Sequence, residues 1–200
     1  MNLMNEFLVI TFTAIVLQNA IFARGLGSSK DTIMMSSPKR ILLFGSTLTF
    51  ITVISSLLAW PFNYLLHANE QFATPLHLRY ILVLCSICIV FTLLYLLTKN
   101  YLPVLHYYLK SMIALASFNC AVLGSMLIAF NGNYGLLKTI GFAFGSGVGY
   151  TLALLLIYEG KRRIVLSDVP RAFRGVPITL LYIGILSLAI YGLIGHQLPT

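Results

Sequence analysis

The stretch SFNCAVLGSML, Ser117 to Leu127, lies inside a long apolar run and carries an amide and a thiol side by side. A membrane span would ordinarily hold leucines there. A polar side chain at bilayer depth must find a partner, and a single Asn in a span usually does so as a hydrogen bond between helices. Here the placement recurs. Asn19 and Asn119 lie 100 positions apart, half of the 200-residue chain. QNAIFARGLG (Gln18–Gly27) and FNCAVLGSML (Phe118–Leu127) each set an Asn ahead of an apolar run that reaches Gly. The first run is then interrupted by Arg24, Gly25, Gly27, Ser28 and Ser29 before apolar residues return at Ile33–Met35. Two such segments, each too long or too broken for one clean helix, suggest an inverted repeat whose discontinuous helices build a site near the midplane. Asn19, Asn119, Gly25 and Gly124 are expected to line that site. Asn119 and Cys120 should face the protein interior, with Gly25, Gly27 and Gly124 giving the two halves room to approach.

The composition requires lipid as the solvent. The chain is 58% hydrophobic and 9% charged, with a mean hydropathy of +0.91, against about 25% charged in an ordinary soluble domain. Apolar runs of about 20 residues cross a core of roughly 30 Å, and six are present: about 3–23, 41–65, 80–98, 104–130, 136–158 and 177–195. Lipid-exposed backbone must be bonded internally, and no β-barrel alternation is visible, so the spans read as helices. The fold expected is all-α and integral to the membrane, six helices in a 3+3 inverted repeat. It forms one domain over residues 1–200, with halves about 1–100 and 101–200. Met1 to Ala23 has no basic n-region and no small-residue cleavage site, so it reads as a retained span.

The net charge of +8 would suggest nucleic acid in a soluble protein; here it reads as topology. Eleven of the thirteen Lys and Arg residues fall in the first, third and fifth loops, leaving only Arg79 and Lys138 on the other side. The positive-inside rule makes the odd loops cytoplasmic and both termini outward. No loop is long enough for a soluble cofactor domain, so electrons passing through this chain would come from partner subunits.

The remaining polar residues carry weaker signals. Cys85 and Cys88 (CSIC) share a face of the third span, but a redox C-x-x-C works with an exposed thiolate at a helix N-terminus, and here they read as small apolar side chains. No disulfide framework is expected of the three cysteines, all in apolar segments. His67, His77, His106 and His196 fall at interfaces without a second ligand at helical spacing. AWPFNYLL (Ala59–Leu66) and NYLPVLHYY (Asn100–Tyr108) read as aromatic belts. GSGVG (Gly145–Gly149) follows no strand and reads as close helix packing.

Several motifs together resemble the membrane subunits of the Rnf and Nqr electron-transport complexes, of the RnfA/NqrE type. They are NCAVLG (Asn119–Gly124), LSDVPRAFRGVPI (Leu166–Ile178), the Gly-rich fifth span GFAFGSGVGYTLALLL and the basic Lys161–Arg163. The resemblance covers nearly the whole chain and weakens between about Gly25 and Arg40. It implies six spans, an inverted repeat and outward termini in a bacterial cytoplasmic membrane. It also implies a homologous, inversely oriented partner, with other electron-transport subunits around the pair. Each of the two homologous chains would offer two cysteines to a two-iron iron–sulfur cluster, a soft-donor site. Cys120 matches one ligand. Where the family has its first-half ligand, in a GLCPF-like turn, this chain has GLGSSK with Ser29. Tyr95 stands where the family carries a third-span acid, and Ala114 where it carries a proline. Asp168, Arg171 and Arg174 of the fifth loop would dock a cytoplasmic partner.

Two functions follow. The first is a subunit of an Rnf- or Nqr-like ion-translocating complex that helps carry electrons across the bilayer centre, with no self-contained active site. The second is a diverged, non-redox paralogue acting as a small transporter or membrane scaffold, favoured by Ser29 and Tyr95.

Overall fold

A computed structural model describes residues 3–28, 35, 37–68, 76–101, 103–166 and 168–194. The described residues are all helical or in short connections. Helix α1 is Leu3–Val16, α2 Pro38–Ala68, α3 Leu76–Tyr101, α4 Pro103–Ser117, α5 Cys120–Asn131, α6 Leu136–Val165 and α7 Val176–Ile194. Three helical stretches are long and apolar enough to cross a membrane: Pro38–Leu65, Arg79–Tyr101 and Leu136–Ile164. The pair Lys110–Ser117 and Cys120–Asn131 is bent by 41° at its break and makes a fourth, while Met4–Val16 and Val176–Gly192 are shorter apolar helices. This is a multi-pass membrane protein.

Two of the six expected spans are broken, the two that the interruptions around Asn19 and Asn119 marked as discontinuous. The first ends at Val16 instead of running to Ala23. At a rise of 1.5 Å per residue, 14 residues cover only about 21 Å, short of a core of roughly 30 Å. The fourth continues through Ala114 and breaks at Phe118–Asn119. Backbone freed at such depth is tolerated only when it is buried in protein and bonded there.

Helix α6 organises the packing. Between helices in lipid there is no hydrophobic drive, so close backbone approach and van der Waals contact carry association. The ladder Gly141, Gly145 and Gly149 supplies that approach to α1. A Cβ on Gly145 would meet the Thr11 carbonyl and Ala14, and one on Gly149 would meet the backbone of Ile15. On the other flank, a Cβ on Gly147 would overlap Thr49 of α2, and one on Gly45 of α2 would overlap Thr151. Each threonine hydroxyl bonds back to the glycine carbonyl four residues earlier, Thr49 to Gly45 at 2.7 Å and Thr151 to Gly147 at 2.8 Å.

Helices α1 and α6 run parallel. Glu6 and Lys138 pair at 3.4 Å near their starts, while Ile15 meets Gly149 farther along. The same end holds Trp60 of α2, whose indole N–H donates to the Tyr134 carbonyl at 3.3 Å and whose ring stacks on Tyr64. The opposite end carries Lys39, Arg40, Arg162 and Arg163, followed by a 3-10 turn at Arg171–Phe173.

Candidate functional site

Asn19 and Asn119 sit at the two breaks, and each closes its break in the same way. The Asn19 Oδ1 accepts from the Ile21 N–H at 3.0 Å, and the Asn119 Oδ1 accepts from the Ala121 N–H at 2.9 Å. At Asn119 this is the N-cap bond of α5, which satisfies a donor that a starting helix leaves free; at Asn19 it closes a run of turns, alongside the Ala23 N–H bond to the Asn19 carbonyl. The amide nitrogens then reach neighbouring residues of α6. Asn19 Nδ2 donates to the Gly149 carbonyl at 2.8 Å, and Asn119 Nδ2 donates to the Tyr150 hydroxyl at 2.9 Å. The two side chains are 4% and 7% exposed, so every one of these polar atoms needs its partner.

The broken segments touch. The Tyr150 hydroxyl donates to the Gly27 carbonyl at 2.7 Å, which ties the first-half loop to α6. A Cβ on Gly27 would overlap Asn119 and Tyr150, and one on Gly124 would overlap Leu26. Gly27 and Gly124 therefore give the halves room to approach. Gly25 does not: no atom lies within 4 Å of where its Cβ would be, and its contribution is a φ of +65° that turns the chain.

Cys120 corrects a second expectation. Its thiol is exposed on the surface of the chain and does not face the interior beside Asn119. The capping Asn119 takes the inward direction, and the next residue of a helix points about 100° away. Beside it, Phe118 is 58% exposed and lies 5.2 Å, ring to ring, from Phe91 of α3. Phe91 in turn lies 6.0 Å from Tyr95, so the third-span position where the resemblance expects an acid adjoins the α4–α5 break. Cys85 and Cys88 are exposed on α3.

Among the described residues, no three His, Cys, Asp or Glu side chains come together as a metal-binding group. Ser29 and His196 lie outside the described residues, as do the side chains of His67, His77 and His106. At the basic end, Asp168, Arg171 and Arg174 are exposed around the 3-10 turn. Among the described residues Asp168 makes no ion pair with the two arginines; the Arg174 Nε donates to the Val169 carbonyl at 2.9 Å. The turn is closed by backbone bonds from Phe173 to Pro170 and from Arg174 to Arg171.

Tyr150 went unnoticed in the sequence. A phenol within a span, next to a run of glycines, is itself the signal, since a buried hydroxyl seeks a partner.

Two breaks, each closed by an asparagine and meeting beside one glycine-rich helix, define a class, a multi-pass membrane protein with broken apolar segments. Comparison narrows it. Residues 7–196 match the family described as "Rnf-Nqr subunit, membrane protein". The chain is 34% identical over 195 residues to the A-type subunit of the ion-translocating oxidoreductase complex of Syntrophotalea carbinolica, covering 96% of this chain and 98% of that one. It is 30% identical over 192 residues to the same-named protein of Aromatoleum aromaticum, with the same coverage, and 28% identical over 195 residues to that of Sodalis glossinidius. The chain belongs to the Rnf-Nqr membrane subunit family.

Proposed function

We propose that this chain is the A-type membrane subunit of an ion-translocating oxidoreductase complex in a bacterial cytoplasmic membrane. It works beside an inversely oriented homologue, together with other electron-transport subunits. The observation that carries the reading is the placement of Cys120. Its thiol sits at the first residue of a helix whose start is locked from inside, and it is turned out of the chain toward where a partner would pack.

A two-iron cluster held by cysteines takes four thiolates. This chain does not fit such a cluster alone, since among the described residues only Cys120 places a thiol at the break. It fits as one donor in a set that partner chains complete. Tyr95 at the acid's position favours the second reading, a paralogue without ion-coupled redox work, because an intramembrane carboxylate is the usual mark of a cation path. The identity of the full-length relatives weighs more. The test is a short bifunctional maleimide applied to membranes stripped of iron, in a Cys85→Ser, Cys88→Ser background. A product joining Cys120 to a second membrane protein of the complex is expected. Complete modification of Cys120 without any inter-chain product would overturn the shared placement.

The architecture proposed is the 3+3 inverted repeat with both termini outside. The α2–α6 crossing supports it. A groove of about 570 Å³ there is lined by Leu42 with Phe144, Ser46 with Val148, Thr49 with Thr151, Phe50 with Leu152, and Val53 with Leu155. The members of each pair lie 102 positions apart. The reciprocal contacts of Gly45 with Thr151 and Gly147 with Thr49 have the self-complementary form that a twofold axis imposes. The basic end, by the positive-inside rule, is cytoplasmic. Cysteines placed at Ser37 and Leu166 should be protected from impermeant reagents outside intact cells; ready labelling of either would reverse the topology.

A further inference from the structure

We propose that Tyr150 is the positioning residue for Cys120, acting through Asn119. Its phenol is fully buried, and its ring lies 6.3 Å from that of Phe44 on α2, so Oη is a fixed point inside the protein. Three parts of the chain meet on that one oxygen. It donates to the Gly27 carbonyl of the first-half loop at 2.7 Å and accepts from Asn119 Nδ2 of the second-half break at 2.9 Å, while its own backbone belongs to α6.

This hold steadies the cap that Asn119 gives α5. Its Oδ1 caps the Ala121 N–H, which requires the amide plane to stay in one orientation. An acceptor on the Nδ2 side favours that orientation, and Tyr150 supplies one. Gly27 must be glycine for the arrangement to close, because a Cβ there would overlap both Asn119 and Tyr150. The start of α5, and with it the direction of Cys120, is therefore set by a hydroxyl on another helix.

The two breaks differ in a way that supplies an internal control. Asn19 is anchored on α6 through the Gly149 carbonyl, a backbone group that a side-chain substitution at position 150 does not remove. Tyr150→Phe should thus release Gly27 and loosen the start of α5 while leaving the Asn19 anchor, and with it Ile21 and Phe22, in place. A residue of only general structural importance would weaken both.

The test is amide hydrogen exchange on the whole protein, wild type against Tyr150→Phe. Exchange across Ala121–Leu123 is expected to rise about tenfold, the effect of one net buried hydrogen bond, with Ile21 and Phe22 unchanged. Asn119→Ser keeps an N-cap acceptor but has no amide donor for Tyr150, and should give the same local rise if Tyr150→Phe fails to accumulate. Equal protection in wild type and both variants, or an equal rise at both breaks, would overturn the proposal. A second readout is the yield of the Cys120 cross-link, expected to fall severalfold in Tyr150→Phe. The importance of Cys120 rests on the function proposed above, whereas the exchange result does not. A missing cross-link in the wild type would count against that function and leave the exchange comparison to decide the role of Tyr150.

Discussion

Replacing Gly145 with leucine is expected to separate α1 from α6 and destabilise the protein by about 3 kcal/mol or more. Inserting bulk into a packed interior usually costs roughly 1–3 kcal/mol because neighbours shift to make room. At Gly145 the neighbour is the Thr11 backbone carbonyl together with the Ala14 Cβ, and helix backbone cannot rotate away as a flexible side chain can. The displacement would also pull Asn19 from the Gly149 carbonyl and leave a buried amide unpaired, a further cost of about 1–3 kcal/mol. Against a typical net stability of about 5–15 kcal/mol, the variant should lose most of its folded population on mild heating in detergent. Gly184→Ala provides the comparison. Nothing lies within 4 Å of where that Cβ would be, so its stability should stay within about 1 kcal/mol of the wild type, in the direction that helix propensity favours. Equal effects of the two substitutions would remove the glycine ladder from the account of packing.

How far the sequence could be read follows from where polar atoms find partners. Asn19 and Asn119 were legible as a related pair because an amide is conspicuous among apolar residues, and their spacing is half the chain. The way they are satisfied was not legible. Both reach α6, at Gly149 and Tyr150, and that convergence depends on a tertiary crossing no local pattern contains. The end of α1 at Val16 was hidden for a related reason. Hydropathy registers the apolar residues on both sides of a break, but the event itself is one side chain bonding to the Ile15 carbonyl and the Ile21 N–H.

Direction was the other casualty. The placement of Cys120 beside a buried asparagine suggested a buried thiol, yet adjacent helical residues diverge, and the cap consumed the inward position. Gly25 and Gly27 looked interchangeable in GLG; only Gly27 is approached closely, while both adopt positive φ. At the basic end, the Arg174 side chain bonds to the Val169 carbonyl and not to Asp168. An exposed ion pair is worth only about 0–1 kcal/mol, too little to dictate the turn.

The second large effect concerns Cys120 itself. In a shared cluster each thiolate both binds iron and offsets its charge, so one lost donor should abolish the centre and not merely weaken it. Cys120→Ala removes a small exposed side chain from the first residue of α5, and alanine is the best helix former. The chain should therefore fold and assemble normally, which separates loss of the centre from loss of the protein. The most direct measurement is iron content together with low-temperature electron paramagnetic resonance of the intact, partner-containing assembly, wild type beside Cys120→Ala. The account predicts an iron–sulfur signal in the wild type that is lost, with its iron, in the variant. Wild-type assembly without iron, or a signal unchanged in Cys120→Ala, would contradict it.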